Sequence, residues 1–106
     1  MNVTIYVLRL KHGKFYVGKT NSVKFRLQDH RQGSGCSWTR KYKPIAVEEV
    51  IYNQTSFDEN KYTKIYMQIY GINNVRGGAY SRIELSKNEI KLLKKELLSN
   101  EDRCYK

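Results

Sequence analysis

The sequence predicts one small α+β domain, an antiparallel three-stranded sheet flanked by helices in the order β-β-α-β-α-α. Three observations carry this. Two stretches near the start alternate with the period of a strand and are separated by a short glycine-containing turn. Two later stretches repeat apolar residues every three or four positions behind Ser-x-x-Glu starts. The chain has 106 residues, which suffices for one hydrophobic core. The domain is expected over residues 1–100, with 101–106 as a C-terminal tail.

Val3, Ile5 and Val7 alternate with Thr4, Tyr6 and Leu8, and Phe15-Tyr16-Val17 resumes the pattern after Lys11-His12-Gly13-Lys14. This is a hairpin, and its register decides which residues share a face. A two-residue turn at His12-Gly13 puts Tyr6 and Tyr16 on opposite faces. A three-residue loop over 11–13, with Gly13 left-handed, pairs position 10 with 14 and brings Tyr6, Leu8 and Tyr16 together. The two-residue turn would also demand a positive φ of His12, so the longer loop is expected.

Asn21 or Ser22 caps a helix expected from Val23 to about Gln32, in which Val23 and Leu27 pack inward while Arg26 and His30 lie one turn apart on a neighbouring face. Gly33 to Lys43 reads as a loop closed by Pro44, and Ile45–Tyr52 as the third strand. Ser56-Phe57-Asp58-Glu59 opens a helix whose stripe is Tyr62, Ile65, Tyr66 and Ile69, ended by Gly71. Residues 72–82 read as a loop with adjacent glycines. Ser86-Lys87-Asn88-Glu89 starts a last helix lined by Ile90, Leu93 and Leu97.

Charge narrows the function classes. The net charge is +10, and residues 1–44 hold ten Lys or Arg against one acidic residue, Asp29, whereas residues 45–106 hold ten against nine. A surplus concentrated in a folded segment indicates a polyanion-facing surface, with nucleic acid the obvious partner. No apolar run approaches the roughly 18 residues of a membrane span, and the first residues run directly into a strand, so a soluble intracellular protein is expected. Cys36 and Cys104 lack C-x-x-C spacing and are expected as free thiols; with His12 and His30 they do not make a zinc pattern. Gly18-Lys19-Thr20 is not a phosphate loop, because the residues before it read as strand.

Thr4-Ile5-Tyr6, Tyr16-Val17-Gly18, the helix with Arg26 and His30, and helix-borne Glu59 together resemble the GIY-YIG nuclease superfamily, over residues 3 to about 80. The stretch from Asp58 to Gly78 also resembles small virus-encoded members. Thr4 replaces the leading glycine and Val17 the second isoleucine, and neither change removes a chemical group that the family uses. The family's usual separate DNA-binding domain is not expected within these 106 residues.

The resemblance implies a metal-dependent DNA endonuclease. Glu59 would hold one divalent metal, Mg²⁺ or Mn²⁺, and Arg26 would face phosphate oxygens. A tyrosine would be the general base, preferably Tyr16, with Tyr6 positioning water or phosphate. Bringing a phenol from a pKa of about 10 to near 7 requires roughly 4 kcal/mol of preferential phenolate stabilisation, for which Lys19 and Arg26 supply positive charge. His30 would relay a proton or orient a tyrosine, and Asn74 would support the metal side or a phosphate. Arg40, Lys41, Arg76 and Arg82 are expected to contact DNA, double-stranded or branched, with Trp38 and Tyr42 available for stacking. The alternative is a catalytically inactive nucleic-acid-binding module on the same fold.

Overall fold

Alternation in the first twenty residues becomes a hairpin in the computed structural model, which describes residues 2–21 and 36–104 of the chain. β1 (Val3–Leu10) and β2 (Lys14–Thr20) run antiparallel around a single 3-10 turn at Lys11–Gly13. Leu10 pairs with Lys14, Leu8 with Tyr16 and Tyr6 with Gly18, the register expected of a three-residue loop. Contrary to expectation, His12 (φ 66°) is left-handed in this three-residue loop together with Gly13 (φ 70°), so a positive φ at His12 does not separate the two turns. Loop length alone sets the register.

Among the described residues the sheet has four strands, not three, in the order β3-β1-β2-β4. β3 (Pro44–Gln54) pairs antiparallel with β1, with bulges along the way. β4 (Val75–Gly77) lies inside the stretch expected to be a loop, and it pairs parallel with Phe15–Val17 of β2. The sheet is therefore mixed. Three residues are too few to display a strand period, and this partner lies far away in sequence.

A second unexpected element is α1 (Ser37–Lys41), a short helix that buries Trp38 and Thr39. Among the described residues α2 (Asp58–Tyr70) and α3 (Lys87–Cys104) are the two long helices, and α3 takes in most of the residues expected as a tail. The expected helix from Val23 to Gln32, with Arg26 and His30, lies outside the described residues.

Helix starts follow the short polar side chains. At α3 the Glu89 N–H donates to Ser86 Oγ (3.1 Å) and the Ser86 N–H to Glu89 Oε1 (2.9 Å), a reciprocal box as expected. At α2 the closing pair sits one residue upstream of the expected Ser56–Glu59. The Thr55 N–H and hydroxyl both donate to Asp58 Oδ2 (2.8 and 3.1 Å), while Phe57 occupies the cap position without a side-chain bond.

β1 is central, and Ile5 to Leu8 are fully buried from both sides. One face packs Ile5, Val7, Phe15 and Val17 against Tyr66 and Met67 of α2 and Leu93 of α3. The opposite face packs Tyr6, Leu8, Leu10 and Tyr16 with Trp38. Each such buried side chain contributes about 1.5–3 kcal/mol, so the strand bearing Tyr6 is among the most firmly held parts of the molecule.

Candidate active site

Tyr6 and Tyr16 lie on one face, as the register requires. Their ring centroids are 6.2 Å apart with planes tilted by 49°, and the residues are 0 % and 7 % exposed. Gly18, opposite Tyr6 in the ladder, makes this possible. A Cβ at position 18 would stand 2.5 Å from Cζ and Oη of Tyr6 and 3.0 Å from Cε2 of Tyr16. The glycine is needed for space rather than for its φ: the Tyr6 phenol lies across bare main chain.

The next residue, Lys19, reaches the carboxylate expected to be functional. Its Nζ is 3.9 Å from Glu59 Oε1, and the Glu59 side chain is only 17 % exposed. Successive side chains of a strand project to opposite faces, so the tyrosines and the Lys19–Glu59 pair approach β2 from different sides. β4 pairs only with Phe15–Val17, which leaves the β2 edge from Gly18 onward uncovered by β4. The first turns of α2 are seated there. The Ala79 N–H donates to Asn60 Oδ1 (2.8 Å), the Thr63 hydroxyl donates to the Glu59 carbonyl (2.7 Å), and a Cβ at Gly78 would strike Asn60 Oδ1 at 2.0 Å. Adjacent glycines that read as loop residues thus fix the position of Glu59.

Other expected site residues fall elsewhere. Asn74 donates to the Tyr70 carbonyl and accepts from Lys14 Nζ, both at 2.8 Å, at the C-terminal end of α2. At 1.5 Å per residue that end is about 17 Å along the helix from Glu59, so Asn74 does not support the carboxylate. Arg76 is 3 % exposed and lies inside the molecule rather than on the surface expected to meet DNA. Its guanidinium donates to the carbonyls of Ile72, Val75, Arg82 and Ile83, and its Cζ lies 4.7 Å from the Trp38 ring centroid. Burial pulls its pKa below the usual arginine value, with Glu89 opposing. No sequence pattern marks this clamp, since its acceptors are all main-chain carbonyls.

Trp38 is likewise core, with its indole N–H donating to the Phe15 carbonyl (2.8 Å), so its ring is not offered to bases. Arg82 is exposed and ion-paired with Glu89. Arg40 and Lys41 lie exposed on α1, where Arg40 donates to Ser37 Oγ (3.3 Å). Arg26 and His30 lie outside the described residues.

Among the described residues no three His, Cys, Asp or Glu side chains converge. The donor chemistry at Glu59 is a single hard carboxylate. That fits Mg²⁺ or Mn²⁺, ions that keep several waters and take further oxygen ligands from a substrate phosphate, and it does not resemble the nitrogen and sulfur sets that hold zinc.

Tyr6 and Tyr16 thus lie over Gly18 on one face of a small mixed sheet, and Glu59 sits on a helix paired with the next residue of the same strand. A family model described as the GIY-YIG catalytic domain matches residues 2–102, and the chain belongs to the GIY-YIG family. Similar curated proteins include a UPF0213 protein of Bacillus cereus, 32% identical over 65 residues (61% of this chain, 62% of the relative). Others come from Bacillus pumilus, 36% over 53 residues (50% and 51%), and Xanthomonas campestris, 37% over 43 residues (41% and 42%). This chain covers 62% of the length of the Bacillus cereus relative. These relatives are bacterial and give no support to the resemblance to virus-encoded members. No solved structure matches the chain. Among the described residues no helix is long and apolar enough to cross a membrane.

Proposed function

We propose that this protein is a metal-dependent endonuclease that hydrolyses phosphodiester bonds in DNA, double-stranded or branched, in an intracellular setting. The observation that carries the reading is the Tyr6–Tyr16 pair on Gly18, followed in β2 by Lys19, which pairs with Glu59. Tyr16 keeps a little contact with solvent and serves as general base toward the attacking water. Tyr6, fully buried over Gly18, orients that water or the phosphate.

Lys19 adds positive charge at the Gly18 end of β2, which favours a phenolate, and Arg26 from the following segment neutralises the phosphate oxygens. His30, four residues on, orients a tyrosine or carries its proton away. Glu59 would hold the divalent ion, which supplies positive charge for the departing oxygen when bound. Thr55–Asp58 closes the start of α2, so Glu59 is not required as the capping residue there.

The test is cleavage of a supercoiled plasmid and a set of branched DNAs with Mg²⁺ or Mn²⁺. Nicking by the wild type should vanish in chelator and fall by at least about 100-fold in Tyr16→Phe and Glu59→Gln, since a positioned acid–base group contributes at least that much. Intact DNA from folded wild-type protein under all these conditions would sink the nuclease reading and leave the inactive binding module.

A further inference from the structure

The hairpin tip gathers cations around one aromatic ring. Lys14 Nζ lies 5.3 Å and Lys41 Nζ 5.5 Å from the Tyr42 ring centroid, and the His12 ring stands edge-on at 6.1 Å. The Lys11 N–H donates to the Lys43 carbonyl (3.0 Å), tying the tip to the chain entering β3. Lys11, His12, Lys41 and Lys43 are exposed and Lys14 is half-buried. Among the described residues none of the five pairs with a carboxylate. Like charges held together with no carboxylate among the described residues to offset them oppose folding, so the cluster is better explained by an external anion than by stability.

Lys14 is already set for such a ligand. Its Nζ donates to Asn74 Oδ1, and Asn74 in turn donates to the Tyr70 carbonyl, so little side-chain freedom remains to be lost on binding. A cavity of about 360 Å³ opens beside Lys41 and Tyr42, but Glu84 lines it, which disfavours phosphate inside and leaves the exposed tip as the contact.

Position relative to the tyrosines identifies the partner. Lys14 and Gly18 are even-numbered residues of β2, on the face that carries Tyr6 and Tyr16. At about 3.3 Å per residue Lys14 stands about 13 Å from Gly18. Duplex nucleic acid rises about 3.4 Å per base pair, so that separation spans about four base pairs.

We propose that the hairpin tip, Lys11, His12 and Lys14 with Lys41 and Lys43, is a phosphate-backbone contact that holds DNA about four base pairs from the point of cleavage. The proposal rests on the nuclease reading for the direction of the DNA, but its binding surface is tested separately. The full chain carrying Glu59→Gln is titrated with a short labelled duplex between about 50 and 200 mM salt. Each phosphate contact contributes about 0.9 to the slope of log K against log salt, so Lys11→Gln, Lys41→Gln and Lys43→Gln together should flatten it by about two to three.

The same charge change on the outer face of α3, Lys91→Gln with Lys94→Gln and Lys95→Gln, should flatten it by less than about one. Circular dichroism checks that both variants fold. An unchanged slope in the tip variant, an equal change in the α3 variant, or wild-type protein that binds phosphatidylserine vesicles but not DNA would each overturn the proposal. A tip-dependent slope in a protein that never cuts DNA keeps the surface and discards the nuclease reading. Cleavage with an unchanged slope does the reverse.

Discussion

Gly18 shows how one missing methyl group organises the site. Replacing it with alanine forces the new Cβ against the Tyr6 phenol, at 2.5 Å from both Cζ and Oη, or moves the strand. Overpacking of this kind costs about 1–3 kcal/mol, and Tyr6 has no empty space to retreat into because it is fully buried. Gly18→Ala should therefore lower the melting temperature measurably and reduce cleavage at least about 10-fold, since small misplacements of positioning groups are costly. Wild-type cleavage by a folded Gly18→Ala protein would show that the Tyr6 position does not matter. Tyr66 is a different kind of tyrosine. Burial and the hydrogen bond from its hydroxyl to Glu49 (2.7 Å) raise its pKa, so it stays a neutral packing residue, unlike the roles proposed for Tyr6 and Tyr16.

At the scale of elements, helix starts make a pH prediction. Backbone N–H groups of Thr55 and Ser86 donate to Asp58 and Glu89 and hold both carboxyls below their usual range. A depressed folded-state pKa contributes stability above the unfolded value, near pH 4, which is lost as pH falls through the folded value. Far-ultraviolet circular dichroism should therefore show helix loss below about pH 4, shallower in Asp58→Asn combined with Glu89→Gln. An identical acid profile in that double variant would exclude these caps as the cause.

These elements also show what a sequence can carry. Hairpin parity was legible, since an odd loop of 11–13 forces Tyr6 and Tyr16 onto one face, and the Ser86–Glu89 box was legible because its partners are three residues apart. β4 was not, because Val75–Gly77 acquires its strand character only from β2. The α2 start moved because Thr55-x-x-Asp58 offers the same capping chemistry one residue earlier than Ser56-x-x-Glu59. Glu59 was correctly placed on a helix, while the glycine seat beneath that helix had no local signature.

Across the whole molecule, Arg76 ties together parts that local rules keep separate. Its donors hold Ile72 before β4 and both Arg82 and Ile83 beyond it, and its guanidinium covers Trp38 of α1. Arg76→Met removes the donors and strands several buried carbonyls. A charged hydrogen bond contributes about 1.5–3 kcal/mol, so the variant should lose about 3 kcal/mol or more in urea unfolding. The DNA-binding salt slope should stay as in the wild type, because a buried guanidinium does not reach phosphate. A slope reduced by about one, with stability unchanged, would return Arg76 to the DNA surface.

The pairing of β4 with β2 fixes the order in which the site can come into being. Phe15 and Val75 are neighbours in the sheet but sixty residues apart in the chain. Closing so long a loop is slow compared with forming the hairpin. During synthesis the Tyr-Val-Gly strand can emerge and pair with β1 well before Gly78 exists to seat Asn60 and bring Glu59 to the end of β2. On the nuclease function proposed above, a ribosome-bound chain that has passed its tyrosines would therefore not yet be active, and Glu59 would take its place only with the last strand of the sheet.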